Sequence, residues 1–144
     1  MRTLRALAVI LTAVALIPGG AHIAELPNKL ALVRDQYFIV QQIYRGWALS
    51  GVVIIAAFVA NLALATMLWR RSEPFWLPAI ACLAIAASLG VFFMWVYPTN
   101  VATANWTEIP ANWEELRTQW EFGHLAGAGL IFIALCAVAF ARGL

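Results

Sequence analysis

Charge is what this sequence has least of. Only 11% of its 144 residues are Asp, Glu, Lys or Arg, where a soluble domain carries about 25%. A surface that poor in charge is not built for water. Cysteine is scarce too: Cys82 and Cys136 fall inside apolar segments with no Cys-x-x-Cys pair. That excludes a dithiol redox centre and leaves two small hydrophobes. There are two histidines, His22 and His124. The net charge of +2 comes from basic residues at the edges of apolar segments, so no nucleic-acid partner is expected.

What is abundant is apolar sequence, 64% of the chain. It collects into four stretches nearly free of charge, spans at about 4–24, 46–69, 75–97 and 122–141. About 20 helical residues cross a bilayer core of roughly 30 Å. Runs this continuous are helices, not alternating strands. The expected fold is all-α: an integral membrane four-helix bundle in a single domain, with membrane lipids around it. The first span begins with Arg2 and Arg5 before Ala6–Ile17, the layout of a secretory signal. Its continuation past Pro18, Gly19 and Gly20 to Ala24 favours a retained helix.

Arg2, Arg5, Arg70, Arg71 and Arg142 lie on one side of these spans; Lys29, Arg34, Arg45 and Arg117 lie on the other. The first group is dense and abuts the spans, which places both termini in the cytoplasm. Connections 25–45 and 98–121 then share the opposite face. That face carries the elaborate sequence, and "RRSEP" between spans two and three is minimal.

Asn112 with Glu115 three residues on reads as a helix N-cap. Trp113, Leu116, Trp120 and His124 follow on one stripe. Span four is thus expected to extend beyond the bilayer. "DQYFIVQQIYRGW" holds no strong breaker, so span two is expected to extend likewise, capped by Asp35. Trp106, Trp113 and Trp120 either anchor the interface or line a pocket between these extensions. In the membrane interior Asn61 is the one strongly polar residue, suited to bonding a neighbouring helix. Gly123 and Gly127 form a small-residue motif for close packing, within the bundle or through self-association in a larger complex.

His22-x-x-Glu25 and Glu121-x-x-His124 run the same pattern in opposite directions on spans one and four. Neighbouring antiparallel helices would set the two histidines level, and the two glutamates level. Carboxylate-bridged metal sites in bundles use Glu-x-x-His pairs completed by other helices. Here spans two and three carry no acid, so His22, Glu25, Glu121 and His124 would make at most a mononuclear centre. Two facing histidines are also a haem arrangement. A metal-free acid–base pocket needs neither; it uses His22 or His124 as base, Glu25 or Glu121 to orient it, and Arg45 to hold an oxyanion. Surface ion pairs, Glu25 with Lys29 and Glu121 with Arg117, would leave the same residues purely structural.

The segments "PGGAHIAELPNKLAL", "YFIVQQIYRGWAL" and "YPTNVATANWTEIPANWEELRTQWEFGH" resemble the small four-helix bacterial membrane proteins grouped as a domain of unknown function. That broad family also holds the fungal anthrone oxygenases. The resemblance implies a bacterial inner membrane location and an oxygenase-type oxidoreductase acting on a lipophilic aromatic or quinone-like molecule, with no cofactor required. It draws attention to Asn28, Lys29, Arg45, Asn105, Trp113, Trp120 and His124, beside Gln41 and Tyr44 from the residue reading. A non-enzymatic accessory subunit of a membrane complex is the alternative.

Overall fold

The computed structural model describes residues 1–141; Arg142, counted above for topology, lies outside the described residues. Six α-helices follow one another: α1 (Arg2–Leu30), α2 (Arg34–Gln41), α3 (Ser50–Arg70), α4 (Trp76–Val91), α5 (Tyr97–Ala102) and α6 (Trp113–Phe140). A π-helical turn, Phe92–Val96, joins α4 to α5 into one rod, Trp76–Ala102. Four rods are therefore long and apolar enough to cross a membrane. They pack in a ring, with α1 against α3, α3 against α4, α4 against α6, and α6 back against α1. The all-α, four-span bundle expected from the apolar runs is the fold observed.

Small residues let the rods approach. Ala8, Ala57, Ala81 and Ala134 are completely buried around Leu64 and Ile85. A Cβ added to Gly19 would stand 2.8 Å from the Ala128 Cβ, marking the close crossing of α1 and α6. The larger apolar side chains, among them Ile10, Ile17, Leu83 and Phe140, point outward. In water such a surface would aggregate; in lipid it costs nothing, because the tails are as apolar as the side chains. At mid-bundle the buried Asn61 donates to Thr12 Oγ1 at 3.0 Å and to the Ala57 carbonyl at 2.8 Å. This ties α3 to α1, as expected of a lone polar residue in a span.

Two expectations about the elaborate face need correction. Span two is not extended: the chain folds as the separate α2, then two 3₁₀ turns, with Gly46 at φ 88° between them. That left-handed backbone suits glycine and stops a continuous helix. Span one is extended instead, 29 residues or about 44 Å, through Pro18 and Pro27. Asp35 does not cap α2; it pairs with Arg34 at 2.8 Å on the surface. Asn112 does precede α6, but its side chain makes no cap bond.

The π-helical turn has a counterpart on α6. A Cβ on Gly123 would meet Val96 Cγ2 at 2.7 Å, so α6 lies directly on the turn. Gln119 Nε2 donates to the Trp95 carbonyl at 2.9 Å, satisfying an acceptor that the irregular ladder exposes. Gly127, by contrast, has nothing within 4 Å, and only half of the small-residue motif makes a close contact.

Candidate functional site

The end of the bundle that bears α2 and the 103–112 loop is held by aromatic side chains. Tyr37 and Phe38 of α2 pack with Val96, Trp106 and Trp120. Asn100 Oδ1 accepts from the indoles of both Trp106 (3.3 Å) and Trp120 (2.9 Å). One amide thus fixes two tryptophans. Trp106 sits in left-handed backbone after Ala104 and Asn105. Gln42 of the first 3₁₀ turn donates to its carbonyl at 2.8 Å.

Beneath this layer α1 and α6 bring their polar residues together. His22, Glu25 and Lys29 recur at spacings of three and four, so one face of α1 presents all three. Glu121 and His124 do the same on α6. The imidazoles of His22 and His124 stack, centroids 4.1 Å apart and planes 26° from parallel. Trp120 meets both edge-on, at 4.9 and 4.3 Å. Tyr44 and Trp47 also pack against His22, at 4.6 and 5.6 Å.

Lys29 lies at the centre. It is 2% exposed and Glu121 1%, and their charged atoms are 2.9 Å apart. A buried lysine is tolerated only with such a partner. The ammonium also stands 3.2 Å from His22 Nδ1 and 3.7 Å from Glu25 Oε2. It further lies 5.0 Å from the ring centres of Tyr44 and Trp120, within cation–π range. Tyr37 donates its hydroxyl to Glu121 Oε1 at 2.9 Å, and Tyr44 donates to Glu25. Both phenols are shifted upward. For Tyr37 the cause is burial first and then the Glu121 charge; for Tyr44 it is burial and then the bond to Glu25. Both therefore remain O–H donors at neutral pH.

Of the residues singled out in the sequence, the structure brings His22, Glu25, Lys29, Tyr44, Trp120, Glu121 and His124 into this cluster. Gln41 is buried beside it on α2, and neither amide atom has a hydrogen-bond partner among the described residues. Trp113 lies one layer out, against Tyr37 and Phe38. Arg45 is not in the cluster: it is exposed and bonds Gln42 at 2.9 Å, because the chain turns away at Gly46. The cation at the site is Lys29. Asn28 is exposed on α1, and Asn105 is exposed in the loop, its amide bonded to the Asn100 carbonyl. Glu121 does not pair with Arg117, which donates to the Leu32 carbonyl and lies over Tyr37 and Trp113. The Glu25–Lys29 pairing does form.

The metal centre drawn from His22, Glu25, Glu121 and His124 is also corrected. Among the described residues no group of three or more His, Cys, Asp or Glu is arranged to hold a metal ion. The point on which three of the four converge is filled by the Lys29 ammonium, which repels a metal cation. Nor do the histidines face one another across room for a haem iron, which needs their nitrogens opposed; their rings stack. Two open grooves, of about 610 and 400 Å³, lie away from the cluster, one beside Arg5, Val9 and Val138 and one beside Val33, Asp35 and Trp113.

Sequence reasoning overlooked Tyr37, Trp47 and Asn100. Tyr37 had a signal, since Tyr37, Gln41 and Tyr44 recur at four and three, a helical stripe. Asn100 had none; its role depends on two indoles brought from elsewhere. No family model, curated protein or solved structure matches the chain.

Proposed function

We propose that this cluster is an acid–base site at the membrane boundary and that the chain is an oxidoreductase of the anthrone-oxygenase type, acting on a lipophilic aromatic substrate. The observation that carries the reading is the stacked histidine pair with a buried ammonium 3.2 Å from one ring. A histidine removes a proton from an activated ring carbon, and the positive charge of Lys29 stabilises the negative charge that develops. Such a carbanion reacts with dioxygen directly to give a hydroperoxide. Loss of the second hydrogen from that carbon with cleavage of the O–O bond leaves a carbonyl and releases water. Overall R₂CH₂ and O₂ become R₂C=O and H₂O, which balances without a further reductant. Trp120, Tyr44 and Trp47 supply the aromatic walls a planar substrate needs.

The site lies on the face opposite the arginine-rich ends. Arg5 pairs with Glu73 at 3.7 Å, which puts the start of α1 beside the α3–α4 turn with Arg70 and Arg71. From the resemblance we infer a bacterial inner membrane protein, and from the distribution of basic charge we place its arginine-rich face in the cytoplasm.

A second reading has its own observation. Lys29 and Glu121 pair at 2.9 Å across α1 and α6, which suits a structural clasp in an accessory subunit of a larger membrane complex. Dioxygen uptake with anthrone as substrate, on protein in mild detergent, separates the two. The oxidoreductase consumes dioxygen above the rate in empty micelles and loses this in His124→Gln. Wild-type protein that adds nothing to the micelle rate refutes the enzyme and leaves the clasp.

A further inference from the structure

Both histidines are candidates for the base, and their surroundings are not equivalent. Lys29 as an ammonium has three hydrogens and no lone pair. Its three polar neighbours are Glu121 at 2.9 Å, His22 Nδ1 at 3.2 Å and Glu25 at 3.7 Å. Two of these neighbours are acceptor carboxyl groups, and the ammonium points its hydrogens at them and at the ring. It can therefore only donate to His22, and Nδ1 of that ring must be bare. A neutral imidazole carries one N–H, so in His22 the hydrogen is on Nε2. The stacked arrangement prevents that N–H from bonding His124 in the plane of the ring. Among the described residues it has no protein acceptor. His124 has no side-chain hydrogen bond at all among them, and in either neutral tautomer it offers one bare nitrogen.

We infer that Lys29 is a positioning residue that fixes His22 as an N–H donor, leaving His124 as the base, and that the pair is built for a carbonyl compound whose acidic C–H gives an enolate on deprotonation. This rests on the acid–base reading above and divides the labour within it. The carbon's proton passes to the bare nitrogen of His124, and the C–H electron pair moves onto the carbonyl oxygen. The enolate so formed accepts the hydrogen bond of His22 Nε2–H, backed through the ring by the Lys29 charge. Return of the proton from His124 to carbon regenerates the ketone.

The tautomer can be read without any substrate. In protein labelled with ¹⁵N-histidine only two rings contribute, and His124→Gln identifies the signal of His22. The expected spectrum has His22 protonated at Nε2 and bare at Nδ1; Lys29→Met should mix the two tautomers. A wild-type His22 that carries its proton on Nδ1, or that already exchanges between forms, overturns the assignment. The roles are tested by deuterium exchange into 1-tetralone in anaerobic D₂O. Wild type should accelerate exchange over micelles, His124→Gln should remove the acceleration, and Lys29→Met should lower it at least tenfold. Exchange that survives in His124→Gln, or is missing in wild type, also overturns it. If exchange behaves as expected while anthrone consumes no dioxygen, the oxygenase reading fails and the division of roles stands.

Discussion

The two halves of this bundle obey different rules. In the arginine-rich half and at mid-span, rods pack through alanines, and the Asn61–Thr12 contact is the main polar link between helices. At the other end a lysine with two carboxylates, two phenols, two histidines and four indoles are crowded together. The apolar half would tolerate many exchanges of one aliphatic residue for another, as cores of preserved volume do. The polar end has less slack, since Lys29, Tyr37, Trp106 and Trp120 each depend on a partner from a different element. The bundle is a scaffold below and a solved charge problem above.

The sharpest way to break this contrast is Glu121→Ala. It leaves Lys29 buried without its partner and should cost about 3–5 kcal/mol, read as lost thermal stability in detergent. The double variant Lys29→Met/Glu121→Leu should recover most of that, because an apolar pair of similar volume often replaces a buried ion pair at no loss. A double variant as unstable as the single one would mean that shape, not charge, governs this end. In the apolar half the severe change is steric: Gly19→Ala drives a methyl against Ala128 and should cost about 1–3 kcal/mol.

Tyr37→Phe is milder. It removes one hydrogen bond to a charged group, about 1.5–3 kcal/mol at most. It also sharpens the comparison through pH. A phenol shifted upward in the folded protein contributes stability that is complete below the unfolded value near 10 and declines as pH rises above it. Wild-type stability should therefore fall on the alkaline side of about pH 10, and less steeply in Tyr37→Phe; parallel curves would show that Tyr37 takes no part. The smallest effect is expected from Asn61→Leu, about 0.6 kcal/mol, even though Asn61 is fully buried. A much larger loss would show that the apolar half has its own polar dependence.

The spans could be read from the sequence because run length and charge avoidance are local properties that lipid enforces directly. The start of α6 at Asn112 and the approach of His22 to His124 were legible for a similar reason, since helical spacing and antiparallel packing fix them. The break before α3 was not. Nothing between Asp35 and Trp47 forbids a helix, and Gly46 takes its left-handed angle where α2 turns to place Tyr44 against Glu25. The exchange of Arg45 for Lys29 was hidden for the same kind of reason. Lys29 follows Glu25 by four residues and reads as an ordinary interfacial cation. Its burial is decided by Glu121, which comes from the other end of the chain.

That dependence on a distant partner has a consequence for biogenesis. Lys29 belongs to the first rod to be made and Glu121 to the last. Until α6 is inserted, the ammonium has only His22 and the partly exposed Glu25 of its own rod for company. Seating α6 brings Glu121 and the second histidine in a single step and closes the ring of helices. A chain truncated before α6 therefore lacks the carboxylate that lies 2.9 Å from the Lys29 ammonium, and its first rod is left with an unmatched cation.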